Sequence, residues 1–574
     1  MAAPSLLALG LRLPNHADWS LSAPLRQPHR AVAGPLLLAA ALRLLNLGAN
    51  PGWDGDEGYN YNIALNLARG HRQMFALSFA FVQHPPLFFL LAAALFHLFG
   101  PSMFLLRLLS TLCCLGTLLL LRPLAHELVD GGRRGPGPTG PWQATDLKRS
   151  LWALSPRRPF RVRPLPWSCR ARLSMADRAR SSMADRARLS LAERIALLAS
   201  LAYAAAPLVV LQNRFGYTYN GLALWTALAT LAVLRYRRTG ANGALVLAGL
   251  AAALALVTDQ EGVYLLPVLL LGLKGASLAR RLLACALALA GPALYLGAMA
   301  LADPAALLFD ITHTAARVAG GSLTYQGAAL LYYLADLLRF DPLIPLGLAG
   351  LALVPYRPAR WLLLGLLAAM LLVILQVRDP NPLFRTAEPL LPLVCLGLGT
   401  LGAVLSEGHR VVVGARRALA VAALALVVAG TAYDARAALT RFPTRIGGLL
   451  PRSTSDTMAM AGWLNRRLRP NDVVIAMPQV SWTLHARTAE LLQSVAYGGQ
   501  PSAFYPAGIP ARRWRYDVSL DAARFLVVDD FTRAWIAQNG AERALVAQAR
   551  RHWPLVYAHG EYMVYENPKY AHAH

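Results

Sequence analysis

Three carboxylates crowd into four positions in NPGWDGDEGYNYNIALNLARG (50-70), just after an apolar run: Asp54, Asp56 and Glu57. Carboxylates held near a low-dielectric surface are candidate general bases or metal ligands. They are also good helix caps, because an Asp before a helix accepts hydrogen bonds from its free amide groups. Taken alone, the pattern favours a solvated acidic turn that caps a helix beginning near Tyr59.

Other polar groups that could do chemistry stand in short segments between apolar runs. They are His84 in VQHPPLFF (82-89), Arg214 in NRFGYTYNG (213-221), Asp259 and Glu261 in VTDQEG (257-262), and Arg378 and Arg385 in VRDPNPLFRT (377-386). An arginine suits a phosphate because its fork gives bidentate contacts and keeps its charge, whereas a histidine contributes charge only if its pKa rises. The plainer alternatives are arginines that anchor the membrane interface and acidic residues that end a helix.

The composition indicates that these groups are positioned by membrane helices. With 574 residues, 56% hydrophobic side chains, only 15% charged ones and a mean hydropathy of +0.41, the chain is too apolar for a soluble globular protein. Many runs reach the length of about 20 residues that a helix needs to cross roughly 30 Å of hydrocarbon, so we predict a polytopic α-helical protein with about 11 spans. The runs lie near 31-49, 103-122, 195-212, 219-235, 242-257, 262-274, 281-301, 343-355, 359-376, 388-405 and 411-433.

The charge distribution predicts which side each connector faces. The net charge of +26 comes mainly from arginines between apolar runs, which indicates membrane topology rather than nucleic-acid binding. A cytoplasmic N-terminus places the basic connectors inside, provided that the short apolar segment 86-99 lies at the outer interface instead of crossing. The acidic pair and the other candidate groups then share one outer side.

Composition shifts divide the chain into five regions. We predict a cytoplasmic tail at 1-30, a first span, outer loop and second span at 31-122, a basic low-complexity cytoplasmic insert at 123-194, a transmembrane bundle at 195-433 and a small extracytoplasmic α/β domain at 434-574. The insert contains LSMADRAR (173-180) followed by SSMADRAR (181-188), and it is either a tolerated repeat expansion or a binder of anionic lipid headgroups. The last region has strand-like segments at 473-477, 525-530 and 556-567.

Several of these features occur in one order between residues 50 and 107: an acidic pair, an aromatic-bearing helix, His-Pro-Pro, an apolar run and an arginine that opens the next span. This order resembles the GT-C membrane glycosyltransferases, particularly the protein O-mannosyltransferases, the lipid A aminoarabinose transferases and their bacterial relatives. The family's Asp-Glu pair falls on Asp56 and Glu57, and its (Lys or His)-Pro-Pro-Leu motif falls on residues 84-87. The resemblance extends over the chain outside the insert, although Arg385 precedes Thr386 where Arg-Tyr is usual.

The resemblance implies an inverting transfer of a sugar from a polyprenyl-phosphate donor to a hydroxyl-bearing lipid, glycan or protein, at the outer face of the cytoplasmic membrane. Asp56 would be the base and Glu57 would orient it, because the attacking hydroxyl must lose a proton. Negative charge grows on the leaving phosphate, so fixed cations aimed there lower the barrier. Candidates for binding substrate or phosphate are Tyr59, His84, Arg214, Arg378 and Arg385, with Asp54, Asp259 and Glu261 as supporting candidates.

The rival interpretation is a polytopic secondary transporter of a small solute or a lipid-linked sugar. Transporters place their important polar groups near the membrane midplane, whereas here the spans are nearly free of acidic residues and polar groups gather in outer loops. No motif demands a cofactor, although oxygen ligands from several loops could hold Mg²⁺ or Mn²⁺. An enzyme surrounded by membrane lipid and acting on a lipid-linked substrate is the favoured interpretation.

Overall fold

The structure of the chain is a computed structural model that describes residues 30-130, 190-322, 343-374, 388-406, 453-502 and 504-571. Some sequence-based predictions fall outside the described residues: the tail at 1-29, the octad repeat at 173-188, the apolar run at 411-433, and both Arg378 and Arg385.

The described residues before 407 mainly form helices. In chain order they are α1 (Arg30–Leu44), α2 (Gly55–Ala68), α3 (Leu87–Phe99), α4 (Met103–Asp130), α5 (Leu191–Ala205), α6 (Pro207–Gln212), α7 (Thr218–Thr239), α8 (Asn242–Thr258), α9 (Leu265–Gly272), α10 (Leu278–Ala302), α11 (Pro304–Ser322), α12 (Leu343–Leu351), α13 (Arg357–Ile374) and α14 (Leu391–Ser406). Every predicted apolar run up to residue 405 overlaps a helix.

Packing between these helices relies on Ala, Leu and small residues. Helix α7 packs against α4 and α8, and α14 packs against α5 and α12. A Cβ added at Gly350 would overlap the Gly397 carbonyl, so the backbones of α12 and α14 meet directly. Small residues at such crossings are typical of helix contacts in membranes, where close packing drives association.

Three helices of the described chain are long and apolar enough to cross a membrane, by length and composition: Met103–Val129, Leu278–Ala302 and Glu388–Ser406. The first has 27 residues and rises about 40 Å, more than the roughly 30 Å of hydrocarbon. The apolar helix α3 has 13 residues and rises only about 20 Å, so it is too short to cross. Its short length agrees with an interfacial position, and the total of about 11 spans stays a prediction.

Two predicted cytoplasmic connectors, the insert and the segment at the end of α7, are linked by ion pairs at one end of the bundle. Arg238 Nη2 lies 2.9 Å from Glu127 Oε1, which joins the end of α7 to the end of α4. Arg122 Nη2 lies 2.8 Å from Glu193 Oε1, which joins α4 to the start of α5. The edges of the predicted insert and the connector after α7 therefore share one end of the bundle.

Residues 453-502 and 504-571 fold around a five-stranded sheet. The strands are β3 (Val473–Ile475), β4 (Arg487–Ala489), β5 (Ala523–Val528), β6 (Leu555–His559) and β7 (Tyr562–Glu566), following a hairpin of β1 (Gln73–Met74) and β2 (Leu77–Ser78) in the first loop. The strand order is β4-β3-β5-β7-β6, parallel from β4 to β5 and antiparallel from β5 to β6. Helices are α15 (Thr454–Asn465), α16 (Pro478–Ser481), α17 (Leu491–Tyr497), α18 (Asp530–Gln538), α19 (Gly540–His552) and α20 (Pro568–Ala571).

Strand β5 is buried along its whole length because hydrophobic clusters cover both faces of the sheet. Phe525 and Val527 pack into one cluster, and Leu526 and Val528 pack into another. This alternation follows from the two-residue period of a strand, and burial on both faces explains the continuous apolar run. That the region lies outside the cytoplasm stays a prediction.

The first loop and the C-terminal region are in direct contact. Gly58 on α2 lies so close to Pro478 that an added Cβ would overlap the Pro478 carbonyl. Gln493 on α17 donates from Nε2 to the Met74 carbonyl at 2.9 Å. The indole of Trp482 contacts the ring of Trp53, with centroids 4.7 Å apart. Helix α2 is therefore held between the bundle and the C-terminal sheet region.

Candidate active site

The three clustered carboxylates have different surroundings. Asp54 is the N-cap of α2, where its Oδ2 accepts from the Asp56 amide at 3.0 Å, and Glu57 completes a capping box. Tyr217 Oη donates to the same Asp54 oxygen at 2.8 Å. The helix-capping interpretation is therefore correct for Asp54, which is buried. Asp56 is half-buried and lines a cavity.

Glu57 forms a fully buried bidentate ion pair with Arg107 on α4. Arg107 donates from Nε to Oε1 at 2.7 Å and from Nη2 to Oε2 at 2.6 Å. The Gly216 amide donates to Oε1 at 2.7 Å. Burial raises the pKa of the Glu57 carboxyl, and the Arg107 charge opposes that shift. Glu57 thus ties the start of α2 to α4 and to the loop before α7.

Asp56 faces a cavity of about 270 Å³ between the helical region and the C-terminal sheet region. The structure brings several sequence-predicted residues to this cavity: Asp56, Tyr59, His84, Asp259 and Glu261. Their chain positions span more than 200 residues, so helix packing assembles the site. Glu57 and Asp54 lie behind this wall, where they hold α2 in place.

Asp259 lies at the break between α8 and the 3₁₀ helix Gln260–Tyr264, Glu261 lies in that 3₁₀ helix, and both line the cavity. Thr218 donates from Oγ1 to Asp259 Oδ2 at 2.6 Å, and the Glu261 amide donates to Asp259 Oδ1 at 3.0 Å. Asp259 therefore caps a helix and contributes to the cavity wall at once. Both interpretations of this acidic pair, a helix end and a supporting group of the site, agree with the geometry.

Arg214 is buried away from the cavity wall and bound to backbone carbonyls. It donates to the carbonyls of Leu42 at 2.6 Å, Leu45 at 2.7 Å and Asn50 at 2.8 Å. These contacts fasten the loop before α7 to the end of α1. The donors of Arg214 are thus used inside the fold, and both predicted roles, a phosphate contact and an anchor at the membrane interface, stay predictions.

Further residues of the cavity wall have no obvious sequence signal. Helix α11 contributes Asp310 and His313, and the C-terminal region contributes Phe504 and Arg513. Arg513 Nη1 lies 2.6 Å from Asp310 Oδ1, and His313 Nε2 lies 2.9 Å from the Phe504 carbonyl oxygen. These contacts join α11 to the C-terminal region beside the cavity.

In the described ranges, no group of three or more His, Cys, Asp or Glu side chains is placed to hold a metal ion. The binding of Mg²⁺ or Mn²⁺ stays a prediction.

Glu490, at the start of α17, connects the cavity wall to the C-terminal core. Its Oε2 accepts from Tyr505 Oη at 3.2 Å, and the Tyr59 phenol is a close neighbour. Burial raises the pKa of Glu490 to about 8, helped by the nearby Glu542 and opposed by the two phenols. Tyr59 and Tyr505 also line the cavity. The protonation state of Glu490 therefore affects two side chains of the cavity wall.

We expect Glu490→Gln to remove a pH-dependent loss of stability. An unfolded glutamate has a pKa of about 4.3, so between there and pH 8 the folded state holds a proton that the unfolded state lacks. Raising the pH through this window therefore destabilises the wild type and not the variant. Thermal unfolding midpoints of both proteins, measured from pH 5 to 8, check this. As the pH rises, the midpoint of Glu490→Gln should exceed that of the wild type by a growing amount, which reaches several degrees at pH 8. Parallel curves would contradict this assignment.

Comparisons with known proteins show which fold this architecture has. No protein-family model and no curated protein matches the sequence. Among solved structures, ArnT from Cupriavidus metallidurans bound to undecaprenyl phosphate superposes with a TM-score of 0.57 at 16% identity, covering 93% of this chain and 97% of ArnT. The chain has the GT-C fold.

The chain is also similar to a second solved structure with the GT-C fold. The archaeal oligosaccharyltransferase AglB from Archaeoglobus fulgidus, in complex with an inhibitory peptide and a dolichol-phosphate, has a TM-score of 0.52 at 13% identity. The alignment covers 94% of this chain and 74% of AglB. The resemblance drawn from the sequence motifs is confirmed at the level of the GT-C fold.

Proposed function

We propose that the protein is an inverting glycosyltransferase of the outer face of the cytoplasmic membrane, which moves a sugar from a polyprenyl-phosphate donor to a hydroxyl-bearing acceptor. The GT-C fold supports this proposal, as does the binding of undecaprenyl phosphate by ArnT and of dolichol-phosphate in the AglB complex. The donor's tail would lie in the lipid and its sugar would enter the cavity beside Asp56.

The position of Asp56 is the observation on which the proposal depends. It lines the cavity on the first turn of α2, and that turn is held by the Asp54 cap and the buried pair of Glu57 with Arg107. A carboxylate held at a cavity wall can take the proton of an acceptor hydroxyl. Asp56 is the proposed base, and Glu57 is a positioning residue.

The proposed reaction is a single displacement. The acceptor oxygen forms a bond to the anomeric carbon while the bond from that carbon to the phosphate oxygen breaks, and the hydroxyl proton passes to Asp56. The leaving group is the polyprenyl phosphate, whose charge grows in the transition state and is stabilised by fixed cations. His84 lines the cavity and is one candidate; Arg378 and Arg385 remain candidates outside the described residues.

The cavity also bears on the rival function of secondary transport. Three of its four described carboxylates lie at or just after a helix end, since Asp56 is in the first turn of α2 and Asp259 and Glu261 follow α8, whereas Asp310 lies within α11. Transporter sites are expected at the midplane, between discontinuous spans. The location of these groups favours chemistry at the membrane surface.

A panel of donors tests the proposal. Purified protein in lipid nanodiscs is incubated with polyprenyl phosphates that carry different radiolabelled sugars, and the release of free polyprenyl phosphate and labelled product is measured. We expect turnover with at least one sugar and none with the same sugars on a nucleoside diphosphate. Turnover only with nucleotide sugars, or uptake of label into sealed vesicles without bond cleavage, would contradict the proposal.

A further inference from the structure

Three arginines end α7 at the end of the bundle where the insert begins. Arg238 Nη2 and Arg235 Nε lie 2.9 and 3.7 Å from the same oxygen of Glu127 on α4. Arg237 has a different partner, because its Nη1 donates to the Pro358 carbonyl on α13 at 3.3 Å. The end of α7 therefore contacts both the end of α4 and the start of α13.

The start of α13 brings two more arginines to this place. Arg357 is exposed, and Arg360 is half-buried and donates from Nη1 to the Ala352 carbonyl at 3.0 Å. The Tyr356 amide donates to the Leu128 carbonyl at 3.1 Å, which fixes the start of α13 against the end of α4. Together these side chains form a basic cluster of five: Arg235, Arg237, Arg238, Arg357 and Arg360.

The basic cluster has more positive charge than its surroundings balance. Glu127 is the one described carboxylate that pairs with it, and it serves only two of the five arginines. Within the described ranges, Arg237, Arg357 and Arg360 form no ion pair with a carboxylate. Asp130 ends α4, and even if it is counted as a second acid the arginines exceed the acids by three. Such an excess attracts anions to this surface.

The insert that joins α4 to α5 does not balance this charge. Residues 131-189 contain fourteen Lys or Arg residues and only three Asp residues. Like charges repel, so a basic insert is a poor partner for a basic cluster. The insert adds positive charge at this end of the bundle instead of neutralising it, and an anion from outside the chain is the fitting partner.

The position of the basic cluster along the bundle indicates which anion it meets. The apolar span Met103–Val129 ends two residues after Glu127, and it rises about 10 Å more than the hydrocarbon thickness. Its polar end therefore reaches the layer of lipid headgroups. The span Glu388–Ser406 ends at the same side, because Ser406 accepts from Arg194 Nη1 at the start of α5, at 3.2 Å. Anions at that depth are headgroup phosphates.

We propose that the basic cluster binds the headgroups of anionic phospholipids in the leaflet at this end of the bundle, which is the predicted cytoplasmic leaflet. Arginine forks match phosphate oxygens, and basic surfaces between membrane helices attract anionic lipids. A bound headgroup bridges the end of α7 and the start of α13. This role is independent of the reaction proposed for the cavity.

Lipid binding to the purified full chain in detergent tests this role. Native mass spectrometry measures the affinity for phosphatidylglycerol, which is anionic, and for phosphatidylcholine, which has no net charge. Wild type should prefer phosphatidylglycerol. Arg357→Gln with Arg360→Gln should reduce that preference by about tenfold or more, since each arginine near an anionic headgroup contributes roughly fivefold. Arg357→Lys with Arg360→Lys should retain most of the preference, because both charges stay.

Arg69→Gln with Arg72→Gln is the matched control, because it removes two charges from exposed arginines of the first loop, on the predicted outer side. It should leave the lipid preference unchanged. An equal loss in this control would overturn the proposal, as would a full preference in the double Gln variant of the cluster or a loss in its double Lys variant as large as with Gln. If the double Gln variant fails to fold, the single Arg357→Gln variant decides by the same criteria.

Inorganic phosphate distinguishes a lipid headgroup from a soluble anion. At equal ionic strength, phosphate and chloride should weaken the binding of phosphatidylglycerol to the same extent, because the acyl chains hold the headgroup at the basic cluster. Selective displacement by phosphate would overturn the assignment to lipid, and so would equal affinity of the wild type for the two phospholipids. None of these measurements depends on sugar transfer.

Discussion

Replacement of Asp56 with Asn should abolish sugar transfer while the protein remains folded. The amide has nearly the same volume as the carboxylate and cannot accept the acceptor's proton. General-base catalysis contributes about 10²- to 10⁴-fold to rate, so a loss of at least that size is expected. Asp56 is half-buried on the cavity side of α2, and the cap is made by the Asp54 side chain and the Asp56 amide, which the variant keeps. Single-turnover transfer from the donor found in the panel is the measurement.

Two comparisons make the Asp56→Asn result specific. Asp521→Asn removes the same charge from an exposed position of the C-terminal region and should transfer sugar at the wild-type rate. Undecaprenyl phosphate should still bind to Asp56→Asn, because the base acts on the acceptor rather than on the phosphate. Transfer by Asp56→Asn within a few-fold of wild type would refute its role as base, whatever the fold suggests.

The helices of this protein could be predicted because hydrophobic run length is a local property. The run near 103-122 lies within α4, which continues to Asp130, since hydropathy marks the apolar part and a helix extends beyond it. The run near 195-212 is two helices, because the chain is extended at Ala206, the residue before a proline. The ends of helices therefore depend on local signals, such as a proline, which an average of hydropathy over a window does not detect.

Part of the site could be predicted because Asp56, His84 and Glu261 each stand in a short polar segment that is visible in the sequence. The acidic helix start is visible in the sequence, and the resemblance already proposes Asp56 as the base, but the contacts that make Asp54 the cap of α2 and a partner of Tyr217 require the fold. Arg214 had the right charge, yet carbonyls at the end of α1 take up its donors. Arg513 stood in an unremarkable Arg-Arg pair, because its partner Asp310 lies on a distant helix.

Loss of either partner of the buried pair of Glu57 and Arg107 should destabilise the protein severely. Neither side chain is exposed, and the bonds between them are 2.6 and 2.7 Å long. Arg107→Met leaves a buried carboxylate without a cation, and Glu57→Gln leaves a buried cation without a counter-charge. Breaking a buried pair on one side costs about 3 to 5 kcal/mol, so both unfolding midpoints should fall sharply.

The double variant Glu57→Gln with Arg107→Met distinguishes a true pair from two separate contacts. It leaves no unpaired buried charge, so its loss of stability should be well below the sum of the two single losses. Glu193→Gln, in the partly exposed pair with Arg122, should cost only about 1 kcal/mol or less, because solvent screens that pair. Additive losses would show that Glu57 and Arg107 act independently. Coupled losses, with transfer reduced in each single variant, would mean that this pair holds the first turn of α2, and with it Asp56, at the cavity wall.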